Sequence, residues 1–557
     1  MKKSNTLRMI ALAAVAAMAL PAITSCGSGT SSSTPSSSQT ASSSSQTSSQ
    51  PEDTGLKINT TGLPLVEEPQ TITVCALIQD GRPGNADVRF WQELEEKTNV
   101  HVEWTDVLQS AWTEKKNVMM AADNQPDIYQ SMGMFTDDDV LSLGSGGKFL
   151  AIQDYIDEYM PTVAGYFAEH PEWKASSTAP DGNIYSIPNI MEVGGGHFSY
   201  GTTPYINQNW LAKVDLSFDC DPMTPMTLEQ FKEVLTVFKT QDPNGNGVAD
   251  EIPWSPSSVG NLYDFGASFG FLRNGVYIKG DKAVWSVTEP EFRAFVEYLH
   301  SLWVDGLMDV ETFTQNGSMY NAKLKNADDI IGFTTAWRQG STQYDAEDDR
   351  FVACVPLDAG DGHAPAWPEE NSFSLDRGAT VVTTSAENPE LCLRWIDNLC
   401  TPENSLQLNS AQLVGEHLEI QPDGTYKQLR PIDWNRDGEY NLMPGVAKKF
   451  IVTSDEWHKQ DVLPPVSIQK DPIDAEYAKY EPQGMALYPA SIWMTSEDAK
   501  EINIIKSEIT SYIDTTFAAW VTEGVTDSSW EEFQKTFSNM GADKALEIYQ
   551  RYYDEQK

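Results

Sequence analysis

Basic residues are scarce in this chain. The sequence has 38 Lys and Arg against 81 Asp and Glu, which gives a formal net charge of −43. Because proteins that bind nucleic acid need a basic surface to contact phosphates, this balance argues against a nucleic-acid partner. It also disfavours adsorption of the folded body onto an anionic membrane, and its simplest consequence is solubility.

Cysteine is scarce as well, and the motifs of several enzyme classes are missing. Six cysteines are scattered over 557 residues without a CxxC pair or a Cys/His spacing typical of metal sites. This set does not indicate a disulfide framework, although the sequence leaves a single bridge open. There is no HExxH zinc motif and no GxSxG nucleophile elbow, and the glycine-rich residues 144–148 lack the spacing of a phosphate-binding P-loop.

The longest apolar run, residues 9–22, is too short to span a bilayer, which needs about 20 residues. It follows a basic start with Lys2, Lys3 and Arg8, as in a signal peptide, and it is followed by ITSC at residues 23–26. This end resembles a bacterial lipobox, and the resemblance implies cleavage before Cys26 and attachment of a diacylglycerol lipid to its thiol. An ordinary secretory signal or an uncleaved anchor is the alternative.

Residues 27–55 are mostly Ser, Thr, Gln and Gly and have almost nothing apolar to bury, so we expect them to be disordered. A flexible segment of this length spans about 30 Å. We therefore predict a signal peptide at residues 1–25, a lipid-anchored disordered tether at 26–67, and a folded body at 68–557. The body exceeds the roughly 250–300 residues of one core, so two lobes are expected.

The body opens with a pattern typical of an α/β fold. Residues 71–78 are typical of a buried strand, residues 88–98 of an amphipathic helix, and residues 100–104 of a second strand. This order predicts a βαβ unit and hence a parallel sheet. Further strands are predicted at 329–335 and 351–356, and further helices at 112–122, 227–240, 289–305, 388–401 and over most of 497–557.

The start of the helix predicted at 227–240 has a capping-box signature, with Thr227 followed three residues later by Gln230. A loop rich in acids and amides follows this helix. Its sequence, DPNGNGVADEIP at residues 242–253, puts oxygen-bearing side chains at Asp242, Asn244, Asn246, Asp250 and Glu251. A hard cation such as Ca²⁺ takes six to eight oxygen ligands, and glycines allow the backbone to curl around it. The first half fits the EF-hand pattern, but Pro253 stands where an EF-hand has its bidentate Glu. The loop is therefore either a shortened calcium site or a polar turn.

Several stretches, taken in order, resemble the extracellular solute-binding lipoproteins of ABC importers, of the large family-1 carbohydrate-binding type. They are the lipobox at Cys26, EEKTNVHVEW at 95–104, MMAADNQPDI at 119–128, APDGNIY at 179–185, NWL at 209–211, the loop at 242–253, GEH at 415–417 and LEIYQRYYD at 546–554. The resemblance covers nearly the whole body. It departs at Gln208 and Asn209, which replace a more usual charged pair.

The resemblance implies a periplasmic-binding-protein-like α/β fold, in which two lobes, discontinuous in sequence, are joined by hinge segments and close over a ligand. Each lobe would have a mainly parallel sheet flanked by helices. It implies capture of a sugar or oligosaccharide outside the cell and delivery to ABC permease subunits, without chemistry on the ligand. The protein would be a monomer on the extracellular face of a Gram-positive-type membrane, which it contacts only through its lipid.

The resemblance also gives the loop at 242–253 a function. In family members that bind alginate and similar oligosaccharides, the corresponding loop holds a structural calcium ion. The ligands implied here are the side chains of Asp242, Asn244, Asn246, Asp250 and Glu251 and the carbonyl of Val248.

Sugar-binding sites combine aromatic rings with polar side chains in a concave cleft. Trp337 and Arg338 directly follow a predicted strand, at the kind of strand end where α/β clefts form. Trp254, which follows the loop at 242–253, is a further candidate, and so are Trp367 and Trp434, which lie in loop sequence with polar neighbours. For each tryptophan, packing in the core or on the surface is the alternative.

Two other interpretations stay open. A secreted carbohydrate-active enzyme needs only two carboxylates that face each other across a cleft, which 81 acidic residues allow. A surface lipoprotein without a transport role is the other. Residues 433–438, DWNRDG, match the first half of a second calcium loop, but Pro444 stands at its twelfth position and a polar turn explains them as well.

Overall fold

The computed structural model of the protein describes residues 55–79, 82–122, 124–192, 200–339, 342, 348–360, 362–369, 373–432, 444–463 and 465–557. The predicted signal peptide, Cys26 and the tether up to residue 54 lie outside these residues, as does Trp434 with the rest of the segment 433–443. No helix in the described ranges is long and apolar enough to cross a membrane.

Sixteen strands are found in the described residues. In chain order they are β1 (Gln70–Ile78), β2 (Val100–Leu108), β3 (Ile128–Phe135), β4 (Asn189–Glu192), β5 (Thr203–Asn207), β6 (Ile252–Trp254), β7 (Val276–Lys279), β8 (Lys282–Trp285), β9 (Ile331–Ala336), β10 (Phe351–Ala353), β11 (Phe373–Asp376), β12 (Gly378–Val382), β13 (Leu418–Ile420), β14 (Tyr426–Gln428), β15 (Ile451–Val452) and β16 (Met485–Leu487).

The α-helices of the same residues are distributed among these strands, as expected for the α/β class. They are α1 (Arg89–Thr98), α2 (Trp112–Ala121), α3 (Asp137–Ser145), α4 (Ile156–Tyr159), α5 (Pro161–Glu169), α6 (Pro171–Ser177), α7 (Gln208–Leu211), α8 (Leu228–Thr240), α9 (Pro290–Val304), α10 (Gly317–Leu324), α11 (Pro389–Leu399), α12 (Pro402–Ser410), α13 (Ser454–Trp457), α14 (Pro465–Tyr477), α15 (Ser496–Glu523), α16 (Asp527–Asn539) and α17 (Ala542–Glu555).

Lobe 1 is built on a four-stranded sheet in the order β12-β3-β1-β2. β1 pairs with β2 in parallel over nine residues, from Gln70 opposite Val100 to Ile78 opposite Leu108, which confirms the predicted βαβ unit. β3 is also parallel to β1, and β12 adds an antiparallel edge. The helices that pack on this sheet include α1, α5 and α11, whose buried apolar side chains complete the core.

Lobe 2 is built on a second four-stranded sheet in the order β10-β5-β9-β6. Only β6 and β9 run parallel, whereas β5 pairs antiparallel with both β9 and β10, so the mainly parallel sheet implied for this lobe is not found. Its core is rich in aromatic side chains and includes α8, α9 and the C-terminal helices α15–α17. The predicted capping box of α8 is confirmed: Thr227 Oγ1 accepts from the Gln230 backbone N–H at 3.2 Å, and Gln230 Oε1 accepts from the Thr227 backbone N–H at 2.9 Å.

A small sheet in the order β11-β4-β15 joins the lobes. After β4 the chain enters lobe 2 at β5, and it returns from β10 through β11 to β12 in lobe 1. After β15 it enters lobe 2 again, where Ile473 and Tyr477 of α14 pack against the core. Among the described residues the chain thus crosses three times, and residues 55–557 form one compact unit.

A buried lysine ties the hinge sheet together. The Lys449 side chain is fully buried just before β15, and its ammonium group donates to the Pro188 carbonyl, to Asn189 Oδ1 at 3.3 Å and to the Phe450 carbonyl at 3.4 Å. Burial lowers the pKa of Lys449 to about 8, against the opposing effect of Asp376 and the Cys400 thiol. Because the ammonium has three acceptors, the charge is tolerated, and it fixes β15 against the start of β4.

The folded body begins earlier than residue 68. Leu65 and Val66 are fully buried in the core of lobe 1. The Arg394 guanidinium of α11 donates to the carbonyls of Asn59 and Gly62 at 3.1 and 3.3 Å. The predicted tether boundary at 67 is therefore corrected, since residues 55–67 pack on lobe 1. Composition missed this boundary because only a few apolar residues in the segment carry the contact.

A chain that starts at Glu68 should be less stable than one that starts at Gly55. Removing Leu65 and Val66 exposes the apolar surface that they cover, with an upper estimate of about 3–6 kcal/mol for the two side chains. Denaturant unfolding measures this difference directly. A chain from Glu68 with an unchanged unfolding midpoint would mean that the segment 55–67 contributes nothing to the fold.

Candidate functional site

The edge of the lobe 2 sheet formed by the C-terminal ends of β6 and β9 carries the first candidate ligand contacts. Trp337 follows β9 directly and is 41% exposed, as a ring that stacks on a ligand would have to be. Arg338 is half-buried, and its Nη1 donates to Oε1 of Gln469 on α14 at 3.1 Å. Since α14 follows the third crossing, this strand edge lies beside the hinge.

Hydroxyl and amide side chains continue this edge. Ser257 Oγ lies 3.0 Å from Thr335 Oγ1 and 3.0 Å from Asn261 Oδ1, while Asn261 Nδ2 donates to Thr202 Oγ1. Behind them Arg273 Nε donates to Asp264 Oδ1 at 3.0 Å. Hydroxyl, amide, carboxylate and guanidinium groups are the polar contacts that a sugar site needs.

Lobe 1 offers a positively charged counterpart. Gln79 follows β1 directly, and the backbone N–H of Arg82 donates to its carbonyl at 3.2 Å. Lys448 is half-buried near Arg82, and burial, reinforced by the charge of Arg82, lowers the pKa of Lys448 to about 8. Because Lys448 lies three residues before β15, this edge also adjoins the hinge. Two cations so close together in an acidic protein are suited to donate hydrogen bonds to ligand oxygens.

Two of the predicted aromatic contacts lie in the core instead. Trp254 is 1% exposed among Phe231, Phe265 and Phe333, with ring centroids 5.2–5.8 Å away. Trp367 is also 1% exposed, and its indole N–H donates to the Thr202 carbonyl at 3.1 Å. Neither offers a ring face to a ligand, so we remove both from the candidate contacts. Trp434 lies outside the described residues.

Some of the polar residues at these two edges could have been found from the sequence, because they come shortly after the end of a strand. Gln79 and Arg82 follow β1, and Ser257 follows β6, at strand ends where α/β proteins bind ligands. Lys448 and Asn261 had no such signal, because the hinge strand β15 is only two residues long and Asn261 lies in a 3₁₀ segment, Val259–Phe269.

The loop at 242–251 lies between α8 and β6, at the opposite end of the lobe 2 sheet from Trp337. The side-chain amides of Asn244 and Asn246 donate to Asp250 at 3.0–3.2 Å. The backbone N–H of Gly247 donates to Asp242 Oδ2 at 3.1 Å. The loop needs its glycines, since Gly245 and Gly247 have φ of 76° and 73°. Val248, whose carbonyl is the sixth implied ligand, is 57% exposed.

The carboxylate of Glu251 lies among other negative charges in this loop. Oε1 of Glu251 is buried without a hydrogen-bond partner. Burial raises the pKa of Glu251, and the charges of Asp242 and Asp250 raise it further. A cation would relieve this repulsion, so the donor set of carboxylates, amides and a carbonyl fits a hard ion such as Ca²⁺. Within the described ranges no group of three or more His, Cys, Asp or Glu side chains is placed to hold a metal, so such an ion would depend on the amide and carbonyl oxygens as well.

The cysteines in the described part of the chain are free. Cys75, Cys354, Cys392 and Cys400 are buried, and Cys220 is half-buried. Burial raises the pKa of each thiol, which makes it unreactive. The prediction that these cysteines do not form a disulfide framework is confirmed.

Comparison with known proteins identifies a relative of this chain. No protein-family model matches the chain. The fructooligosaccharide ABC transporter substrate-binding protein FusA of Streptococcus pneumoniae is 29% identical over 478 residues, which cover 83% of this chain and 86% of that protein.

Solved structures agree with this relationship. FusA in complex with kestose matches with a TM-score of 0.76 at 28% identity over 87% of this chain and 99% of that one. An EF-hand mutant of FusA in complex with fructo-nystose matches with a TM-score of 0.75 at 27% identity and the same coverage. A human-milk-oligosaccharide (HMO) binding solute-binding protein of Bifidobacterium longum infantis shares the fold, with a TM-score of 0.74 at 21% identity over 88% and 99% of the two chains. The chain is therefore a homologue of the substrate-binding proteins of ABC transporters that bind oligosaccharides, and it has their fold.

Proposed function

We propose that this protein captures a sugar or oligosaccharide outside the cell and passes it unchanged to an ABC permease. The homology to FusA over 83% of the chain carries this proposal. A fructooligosaccharide is the first ligand to test, since FusA is named for that class and its structure contains kestose.

The proposed cleft lies between the two strand edges beside the hinge. Trp337 stacks on the apolar face of a sugar ring, and Arg82 and Lys448 donate to ligand oxygens from lobe 1. The edge around Ser257 and Asn261 exchanges hydrogen bonds with hydroxyl groups from lobe 2. A ligand that contacts both edges only when the lobes close stabilises the closed form, and the permease recognises that form.

Calorimetry with kestose tests this proposal. We expect saturable binding, and we expect Trp337→Ala to weaken it about tenfold or more, because loss of a central aromatic contact costs about 1–2 kcal/mol or more. Trp337→Ala should leave the Tm almost unchanged, since the side chain is exposed. Trp254→Ala should instead lower stability by about 3–5 kcal/mol through a core cavity.

Trp530→Ala is the matched control for binding, because this half-buried tryptophan lies on α16, outside both strand edges. If Trp337→Ala binds kestose like the parent protein, the ring is not a ligand contact. If no saccharide of a mono- and oligosaccharide panel binds, the proposed function is wrong. Chromatography of the recovered kestose addresses the enzyme alternative, since turnover would replace capture.

We also propose that the loop at 242–251 binds a structural Ca²⁺ ion. The implied ligands are Asp242, Asn244, Asn246, Asp250 and Glu251 with the Val248 carbonyl. The unpartnered Glu251 oxygen supports this assignment, and the EF-hand mutant of FusA points in the same direction. The ion would offset most of the negative charge of the three carboxylates and fix the loop in front of β6.

Chelation with EDTA should lower the Tm, and added Ca²⁺ should restore it. At a hundredfold excess of Ca²⁺ over Kd, the free energy of unfolding should rise by about 2.7 kcal/mol. The gain should be larger at pH 7 than at pH 5. Because the pKa of Glu251 is raised, its protonated form supports the metal-free fold at low pH, and this support is lost as pH rises through that pKa.

Asp250→Asn should weaken this response to Ca²⁺, whereas Asp423→Asn should not. Asp423 accepts hydrogen bonds from the backbone N–H and the hydroxyl of Thr425 in the polar β13–β14 turn, far along the chain from the loop at 242–251. A Tm that is insensitive to EDTA, with no metal in the purified protein, would identify the loop as a polar turn.

We propose, finally, that Cys26 carries the lipid that anchors the protein to the outer face of the membrane. Full-length protein made in a Gram-positive host should enter the detergent phase, and Cys26→Ala protein should appear in the medium. Equal membrane retention of both forms would contradict lipid attachment at Cys26.

A further inference from the structure

A loop of lobe 2 reaches across to lobe 1. This loop, residues 488–495, is called the hook here. It connects β16 to α15, and both elements pack in the core of lobe 2. Trp493, in contrast, packs against the part of the lobe 1 core that contains Tyr129 and Phe149. The hook therefore leaves lobe 2, contacts lobe 1 and returns.

A single buried arginine holds the hook from lobe 1. Arg377 is 4% exposed, and its Nη2 donates to the hook carbonyls of Ala490 at 3.0 Å and Ser491 at 2.8 Å. Its guanidinium carbon lies 4.9 Å from the centroid of the Trp493 ring. The hook thus offers this arginine two backbone acceptors and one aromatic face, which is the contact set that suits a planar guanidinium.

The remaining hydrogen bonds of the Arg377 guanidinium are all made to residues of lobe 1. Nε donates to the Ser176 carbonyl at the end of α6 at 2.6 Å, and Nη1 donates to Asp137 at 2.7 Å. Asp137 lies in the first turn of α3, and the next residue, Asp138, accepts from Ser496 Oγ at 2.5 Å. The first turn of α3 and Arg377 therefore form one socket, which holds both the hook and the start of α15.

The hook is equally well fixed to lobe 2. The Tyr488 hydroxyl donates to the Tyr549 carbonyl on α17 at 2.8 Å, and the two rings lie 4.8 Å apart. The backbone N–H of Thr495 donates to the Tyr552 hydroxyl at 2.9 Å. A segment bound at both ends to one lobe and in its middle to the other transmits force between them.

We propose that the hook and its Arg377 socket are a fourth connection between the lobes, and that Arg377 is a positioning residue that sets the resting angle between them. The position of Arg377 supports this role. It directly follows the hinge strand β11 and directly precedes β12 of the lobe 1 sheet, so the socket lies where the hinge enters lobe 1. The three covalent crossings allow bending at the hinge sheet, and the hook limits it from a separate point. The effect on ligand capture rests on the proposed function, whereas the connection itself does not.

Arg394 provides a matched control. It is 5% exposed on α11 of lobe 1, it forms an ion pair with Asp397 at 3.2 Å, and it donates to two backbone carbonyls. Burial lowers the pKa of both arginines. The difference is that the partners of Arg394 all lie in lobe 1 and its N-terminal segment. Arg377→Gln and Arg394→Gln should both lower the Tm, but only the first should loosen the lobes.

The test measures the full-length mature protein without ligand. Hydrogen–deuterium exchange should show amides of the hook exchanging about tenfold faster or more in Arg377→Gln than in Arg394→Gln, because charge-assisted hydrogen bonds to the hook are lost only in the former. Small-angle scattering should show a changed radius of gyration only for Arg377→Gln. Arg377→Lys keeps the charge beside Asp137 but not the planar fork, so its hook exchange and radius of gyration should lie between those of the parent and of Arg377→Gln. It replaces Arg377→Gln in the test if that variant does not fold.

Equal hook exchange and an equal radius of gyration in the Arg377 and Arg394 variants would overturn the proposal. A changed radius of gyration in the Arg377 variants, together with a failure of every variant to bind saccharides, would leave the connection standing and reject the proposed function. If both proposals hold, the Arg377 variants should also bind kestose with altered affinity, while Arg394→Gln retains the parent affinity.

Discussion

The lobes of this protein can move only as far as three short strands allow. β4 pairs with β11 over four residues and with β15 over two, so the register between the crossings is fixed by backbone hydrogen bonds. The buried ammonium of Lys449 adds a charged contact from the β15 side to Pro188 and Asn189, at the start of β4. If one crossing slid past another, the Lys449 ammonium would lose these acceptors and remain buried without a partner, which is costly. The hinge therefore bends as one unit.

The two ends of the lobe 2 sheet have separate tasks. β6 and β9 are parallel, with Ile252 opposite Ile331. Glu251 immediately precedes this pair, whereas Trp337 lies six residues beyond Ile331. At roughly 3.3 Å per residue, about 20 Å separates the two positions. In the proposed function, a cation held at the loop would support β6 from the end of the sheet opposite Trp337, without touching a ligand. The two proposals, metal binding and sugar recognition, can therefore be tested independently.

Local sequence patterns predicted lobe 1 well because the relevant signals are close together in the chain. The strand, helix and strand that begin with β1 have clear periodicity, and the Thr227 capping box is a motif of four residues. The hinge strands β4, β11 and β15 have two to four residues each, too few for a period to show. Their existence depends on distant partners, since Ile451 pairs with Ile190. The same holds for Arg377, whose five contacts come from three separate segments: α3, the end of α6 and the hook.

Two of the tryptophan predictions failed for a related reason. Neither a position after a polar loop nor a polar neighbourhood in sequence tells which way a side chain points. Trp254 ends a strand whose register with Phe333 turns its ring into the aromatic core of lobe 2, and Trp367 is drawn inward by the Thr202 carbonyl. Trp337 lies one residue beyond the end of β9, where the ladder no longer dictates its direction. Position relative to the strand end is therefore a better guide to the exposure of these rings than local polarity.

If the hook connects the lobes as proposed, bending is expected at the lobe 2 end of the hinge, because the lobe 1 end is held by several contacts. At the lobe 1 end, Arg377 is held by lobe 1 and by the hook, Asp376 accepts from the Gly133 backbone N–H at 2.6 Å, and Lys449 anchors β15. Gly378 presses so closely on β3 that an added Cβ would lie 1.8 Å from the Phe135 carbonyl oxygen. These contacts fix the lobe 1 end of the hinge, so the proposal implies that rotation is taken up where the hinge strands leave for lobe 2. In that case lobe 2 would move as a body, with α15 restrained by the hook, and Trp337 would move with it.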